Sequence, residues 1–115
     1  MYCDTIPAKA LSQYINKPGC LIVDLRDYTE YAQGHVPSAV NIPIEKLERQ
    51  SQLLSGYQEV VLYCARGSHS LMCARRLNIN CCCYSVYGGI RAYRGTLVKD
   101  WNVIDVTEKI LYDND

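Results

Sequence analysis

The sequence contains no phenylalanine and a single tryptophan, yet it carries ten tyrosines. Its aromatic content is almost wholly hydroxylated, a bias to which nothing in the sequence assigns a function. No stretch approaches the roughly 18–20 consecutive apolar residues of a membrane-spanning helix. The opening Met1-Tyr2-Cys3-Asp4 lacks the basic-then-apolar pattern of a signal peptide, which argues against export. Charge of one sign is missing too: twelve basic and twelve acidic residues give a formal net charge of +0, and no basic block is longer than Arg75-Arg76. That balance disfavours a nucleic-acid partner. Seven cysteines are present (Cys3, Cys20, Cys64, Cys73, Cys81, Cys82 and Cys83), but none are paired at a Cys-x-x-Cys spacing. Three adjacent cysteines serve one compact metal site poorly, so no metal is expected. The count reads as free thiols in a reducing cytoplasm rather than a disulfide framework.

The chain has 115 residues, 49% of them apolar, which suits one compact domain with a real core. There is no internal repeat or low-complexity linker. Residues 1–6 read as a short strand, and Pro7 suits the first turn of a helix that carries Leu11, Tyr14 and Ile15. Lys17-Pro18-Gly19 stops that run. Cys20 to Leu25 is a continuous apolar strand, of the kind buried on both faces in a parallel sheet. Asp27 and Glu30 have capping-box spacing ahead of a short helix that ends at Gly34. A loop with a short strand at residues 39–42 follows, then a helix from Glu45 to Leu54 broken by Gly56. Glu59 to Tyr63 is a second buried strand, Ser70 to Leu77 a helix, Cys82 to Tyr87 a third buried strand, and Ile90 to Tyr93 a short helix after the Gly88-Gly89 turn. Val103 to Val106 reads as a last strand before a short helix. Strands alternating with helices at this spacing imply an α/β domain with a mainly parallel sheet.

Sites in such sheets form at the carboxyl ends of the strands. Three chemistry-bearing segments stand there: Arg26, Cys64 and Tyr87-Gly88. The run Val60 to Ser70 is the most informative, because a buried strand delivers Cys64 to a short loop containing Arg66, Gly67 and His69, and a helix follows. Loop N–H groups and a helix N-terminus stabilise a thiolate and attract anions. Cysteine is also a common buried residue, and by position alone Cys64 reads equally as a small apolar side chain closing its strand; the basic, glycine-containing loop after it favours a nucleophile. Asp24 and Arg26 read as a structural ion pair. His35 reads as a loop-stabilising histidine rather than a general base. Strand alternation sends Cys82 to the face opposite Cys81 and Cys83, so packing is the simplest role for that triplet. Cys73, inside the helix after the loop, reads as core.

At four places together the chain resembles the single-domain rhodaneses, a sulfurtransferase family. These are Val23-Asp24-Leu25-Arg26 with Glu30-Tyr31; Gly34-His35-Val36-Pro37-Ser38-Ala39-Val40-Asn41-Ile42-Pro43; Cys64-Ala65-Arg66-Gly67-Ser68-His69-Ser70; and Val86-Tyr87-Gly88-Gly89-Ile90-Arg91-Ala92-Tyr93. The resemblance implies a three-layer domain over residues 1–115, with a five-stranded, mainly parallel sheet and helices on both faces. Its core would run from about residue 5 to 99, with 100–115 as an extension of unassigned role. It implies that Cys64 takes a sulfane sulfur from a small anionic donor such as thiosulfate, carries it as a persulfide, and passes it to cyanide, a thiol or a partner protein. Backbone N–H groups from Ala65 to Ser70 would hold the persulfide, and Arg66 with His69 the sulfite end. No cofactor is implied. Three positions depart from the family's pattern: His69 stands where many relatives have arginine, Ser38 where glycine is common, and Tyr93 where tryptophan is common. Two other readings remain. One is a sulfur-carrier or protein-interaction module; the retained Cys64 argues against a purely structural module but does not separate thiosulfate turnover from delivery of sulfur to a partner protein. The other is phosphatase or arsenate reductase chemistry, disfavoured because that loop is one residue longer and ends in arginine where this chain has Ser70.

Overall fold

The computed structural model describes residues 2–77 and 81–99, leaving aside the side chains of Tyr2 and Cys3. Five strands form one sheet: β1 (Tyr2–Pro7), β2 (Cys20–Asp24), β3 (Val40–Asn41), β4 (Glu59–Tyr63) and β5 (Cys82–Tyr87). Their order across the sheet is β1-β5-β4-β2-β3, and every pairing is parallel. Parallel neighbours cannot be joined by tight turns, so each connection crosses a face of the sheet and covers it. This is why β2 and β4 read as unbroken apolar runs. Along β4, Val60 and Leu62 point to one face and Val61 and Tyr63 to the other.

The first face packs against α2 (Ile44–Arg49), the 3-10 helix Ser51–Leu54 and α3 (Ser68–Arg76), through Leu47, Leu54, Cys73 and Ala74. The second packs against the 3-10 helix Ala8–Gln13, through Ala8 and Leu11, and against Ile90 of the 3-10 helix Gly89–Ala92. The helix α1 (Tyr28–Gln33) lies between β2 and β3 in the chain and buries Tyr31 and Ala32. The result is the three-layer α/β architecture that the sequence implies, with β4 in the middle of the sheet. No helix among the described residues is long and apolar enough to cross a membrane.

Several local expectations are corrected. Pro7 closes β1 instead of opening a helix, and the segment after it winds as a 3-10 helix. Asp27 precedes α1, but its side chain makes no capping bond, so the Asp27–Glu30 capping box does not form. The single helix expected from Glu45 to Leu54 is divided at Gln50, whose φ of −132° and ψ of 53° leave the helical region. The helix after the Cys64 loop starts at Ser68 rather than Ser70, because Gly67 adopts the left-handed conformation immediately before it. The strand expected at Val103–Val106, and the helix after it, lie outside the described residues.

Cys83 is buried under α3, Cys81 packs against the same cluster and Cys82 is exposed. Cys73 is fully buried in α3. Burial, then the nearby Glu48, pushes its thiol up to about 11 from an ordinary 9.0. The fold thus favours the protonated thiol. Its contribution is fully present below pH 9 and is lost as the pH rises from 9 to about 11. Urea unfolding compared at pH 8 and 10.5 should show an alkaline loss that is smaller in Cys73→Val by an amount on the order of 2 kcal/mol, the rest belonging to groups such as the Cys20 thiol, which burial also pushes up to about 11. An identical alkaline loss in the variant would assign it to other groups.

Candidate active site

Because β4 ends at Tyr63, Cys64 stands at the carboxyl edge of the central strand, only 5% exposed. Its Sγ accepts the Gly67 N–H at 3.0 Å and lies 3.7 Å from Ser70 Oγ. Ser70 sits in the first turn of α3 and is fully buried. Its Oγ lies 3.0 Å from the Gly67 carbonyl and 2.8 Å from Ser85 Oγ on β5. The N–H groups of a helix's first turn have no intrahelical acceptor, and here they belong to the residues that close the loop. Arg66 and His69 are exposed and make no hydrogen bond or ion pair among the described residues. The site therefore consists of a cradled sulfur, orphan amide donors and two unengaged basic side chains.

Glycine is required at two places in this loop system. Gly67 has φ 98°, and a Cβ there would come within 2.8 Å of the Gly88 nitrogen. Gly89 has φ 62°, and a Cβ there would overlap the carbonyls of Cys64 and Ala65. The close approach has a purpose: Ile90 N–H donates to the Cys64 carbonyl at 2.9 Å and Arg91 N–H to the Ala65 carbonyl at 3.2 Å. The turn after β5 thus clamps the start of the cysteine loop. A hollow of about 360 Å³ runs beside it, between Arg66, Gly67, Ser68 and Leu71 on one side and Thr5, Ser85, Tyr87 and Gly88 on the other.

Asp24 and Arg26 form a second cluster at the end of β2. The fully buried Asp24 carboxylate accepts from Arg26 Nη2 at 2.8 Å and Nε at 3.1 Å, from the Arg26 backbone N–H at 2.9 Å, and from the Tyr63 hydroxyl at 2.7 Å. Arg26 Nη2 also donates to the Gly34 carbonyl at 2.6 Å. Burial works against the guanidinium charge, but the bonds to Asp24 outweigh it and raise its pKa. Burial, then the Asp24 carboxylate, pushes the Tyr63 phenol well above its ordinary range. The Tyr63 hydroxyl accepts the Val36 N–H in turn. His35 stacks on Tyr31 with ring centres 3.8 Å apart, and its Nδ1 lies 2.8 Å from the Tyr31 carbonyl. Ser38, at φ 67°, accepts the Asn16 N–H on its hydroxyl.

Within residues 64–70, the Gly67 N–H and the Ser70 hydroxyl approach the Cys64 sulfur. Among the described residues, the side chains of Asp24, Arg26 and His35 make no hydrogen bond or ion pair with this segment. Of the loop N–H groups expected to surround the sulfur, only that of Gly67 bonds it in this state. Sequence reading overlooked Tyr63 and Ser85. Tyr63 is hidden inside an apolar run, and its hydroxyl is needed only because Asp24 pairs opposite it in the β2–β4 register. Ser85 carries no local signal at all; its importance comes from the β4–β5 pairing of Leu62 with Ser85, beside Cys64.

A family model described as "Rhodanese-like domain" matches residues 7–96. A sulfurtransferase of Allochromatium vinosum is 28% identical over 97 residues, covering 81% of this chain and 83% of that protein. A putative sulfur carrier protein of Bacillus subtilis is 32% identical over 73 residues, covering 63% of this chain and 40% of that protein. The crystal structure of a rhodanese-related protein from Thermoplasma volcanium superposes with a TM-score of 0.69 at 23% identity, covering 84% of this chain and 99% of that one. At that identity it speaks for the fold alone. Against three of the curated relatives that it matches, the chain spans 22%, 40% and 16% of their length.

Proposed function

The chain belongs to the rhodanese-like family, and from that premise we propose that it is a sulfurtransferase working through a persulfide on Cys64. The observation that carries the reading is the Cys64 sulfur at the end of β4, bonded by the Gly67 N–H at 3.0 Å and facing the orphan first turn of α3. In the first half-reaction the thiolate attacks the outer sulfur of thiosulfate or another sulfane donor. A new S–S bond forms, the old one breaks, and sulfite (or the donor's thiolate) leaves with the electron pair. The outer persulfide sulfur then carries the negative charge, and the amides of Ser68, His69 and Ser70 are the donors available to it. In the second half-reaction cyanide or a thiol attacks that outer sulfur and returns Cys64 as thiolate. Arg66 and His69, whose side chains have no partner among the described residues, would hold the anionic end of the donor.

Incubation with thiosulfate, followed by intact mass measurement, tests the proposal. A gain of about 32 Da, one sulfur atom, is expected on the wild type and not on Cys64→Ser. No uptake from thiosulfate or from any persulfide donor would rule the mechanism out. A second reading is favoured by the relative named as a putative sulfur carrier: the domain loads sulfur but delivers it only to a partner protein. Loaded protein that resists cyanide, yet has sulfur on Cys64, would support that form. Turnover of an aryl phosphate would instead favour phosphatase chemistry.

A further inference from the structure

The core beside Cys64 contains two hydroxyls in a place where apolar side chains would be easier to bury. Ser70 is 0% exposed and Ser85 2% exposed, and their Oγ atoms are 2.8 Å apart. Counting hydrogens shows what the pair does. With Cys64 protonated, its S–H points to Ser70 Oγ, the Ser70 O–H donates to the Gly67 carbonyl, and the Ser85 O–H donates to Ser70 Oγ. Once the thiol proton has left for solvent, nothing lies between Sγ and Ser70 Oγ. The Ser70 O–H can then turn from the Gly67 carbonyl to the sulfur. Ser85 is the hydroxyl that stays bonded to Ser70 in both arrangements.

We propose that Ser85 is a positioning residue for the Cys64 thiolate, holding Ser70 Oγ while its hydrogen switches between the Gly67 carbonyl and the sulfur. The β4–β5 register supports this, because Ser85 pairs with Leu62 and projects on the α3 face with the buried Cys83. Among the ionisable side chains on the elements around the sulfur, Arg66 on the loop, His69, Arg75 and Arg76 on α3 and Arg91 on the turn after β5 are exposed, and the thiols of Cys73 on α3 and Cys83 on β5 are buried in the same core as Cys64. Removing the Ser85 hydroxyl leaves all of them in place. The proposal rests on Cys64 acting as a thiolate nucleophile.

Alkylation of Cys64 by iodoacetamide, followed peptide by peptide across pH with no sulfur donor present, tests it. Ser85→Ala should move the midpoint of the rate profile up by about one pH unit, a roughly tenfold loss of reactivity at neutral pH. Ser85→Thr should restore it, because the strand favours a β-branched residue and the adjoining hollow has room for the methyl group. In a Ser70→Ala background the Ser85→Ala change should add no further shift. If Ser85→Ala does not fold, Ser85→Cys, a weak donor of similar size, is measured the same way and is expected to shift in the same direction. An unmoved midpoint with a lowered Tm would make Ser85 a structural tie between α3 and β5 and overturn the proposal. A shifted midpoint without sulfur uptake would leave this inference standing and sink the sulfurtransferase reading.

Discussion

Replacing Asp24 with alanine is expected to destabilise the fold by about 3–5 kcal/mol, the cost of stranding a buried charge. Four donors lose their acceptor at once. The Arg26 side chain, 12% exposed, keeps among the described residues only the Gly34 carbonyl. The Tyr63 hydroxyl and the Arg26 N–H lose the carboxylate. Asp24→Asn, which retains one acceptor oxygen, should cost less. Removing both charges as Asp24→Leu with Arg26→Leu should cost less than the sum of the single changes, because neither charge is then stranded. Urea unfolding of these five variants, the two single leucine changes included, is the measurement. A loss under 1 kcal/mol for Asp24→Ala would mean that water reaches Arg26 readily and that the cluster is not a stabilising element.

Gly89→Ala should lower the rate of sulfur loading about a hundredfold, the scale of an active-site misplacement of about 1 Å. Two costs combine. A side chain at φ 62° is strained by roughly 1–2 kcal/mol. The added Cβ also overlaps main-chain carbonyls of Cys64 and Ala65, which cannot swing aside as a side chain would. Relief requires the Cys64 loop to move off the turn, breaking the bonds from Ile90 and Arg91. Loading with a sulfane donor should fall along with Tm. The Gly56→Ala control, also at positive φ but with nothing within 4 Å, should lower Tm modestly and leave loading intact. Equal loading by the Gly89 and Gly56 variants would show that the turn does not set the sulfur's position.

The legible parts of this sequence are those that one periodicity decides. The strands at Glu59–Tyr63 and Cys82–Tyr87 are found to the residue, because each is a run rich in valine, tyrosine and other apolar side chains that ends in a turn or loop signal. The helical segments are less legible. After Pro7 a helical spacing of apolar residues is satisfied by a 3-10 helix, since the register of Ala8 and Leu11 against the sheet matters more than the turn type. The break at Gln50 has no glycine or proline to announce it. Cys64 and its loop are legible because loop, glycine and helix start are contiguous. Ser85 and Tyr63 are not, because their neighbours come from other strands, and only the sheet register brings them together.

That register also orders events during synthesis. Cys64 leaves the ribosome well before Ser85, Gly88 and Gly89, and β5 must slot between β1 and β4 before the clamp on the loop exists. Until then the nascent chain carries an uncradled thiol, whose chemistry is that of any cysteine in an open peptide. The cradle around the sulfur is therefore complete only when the inserted strand completes the sheet.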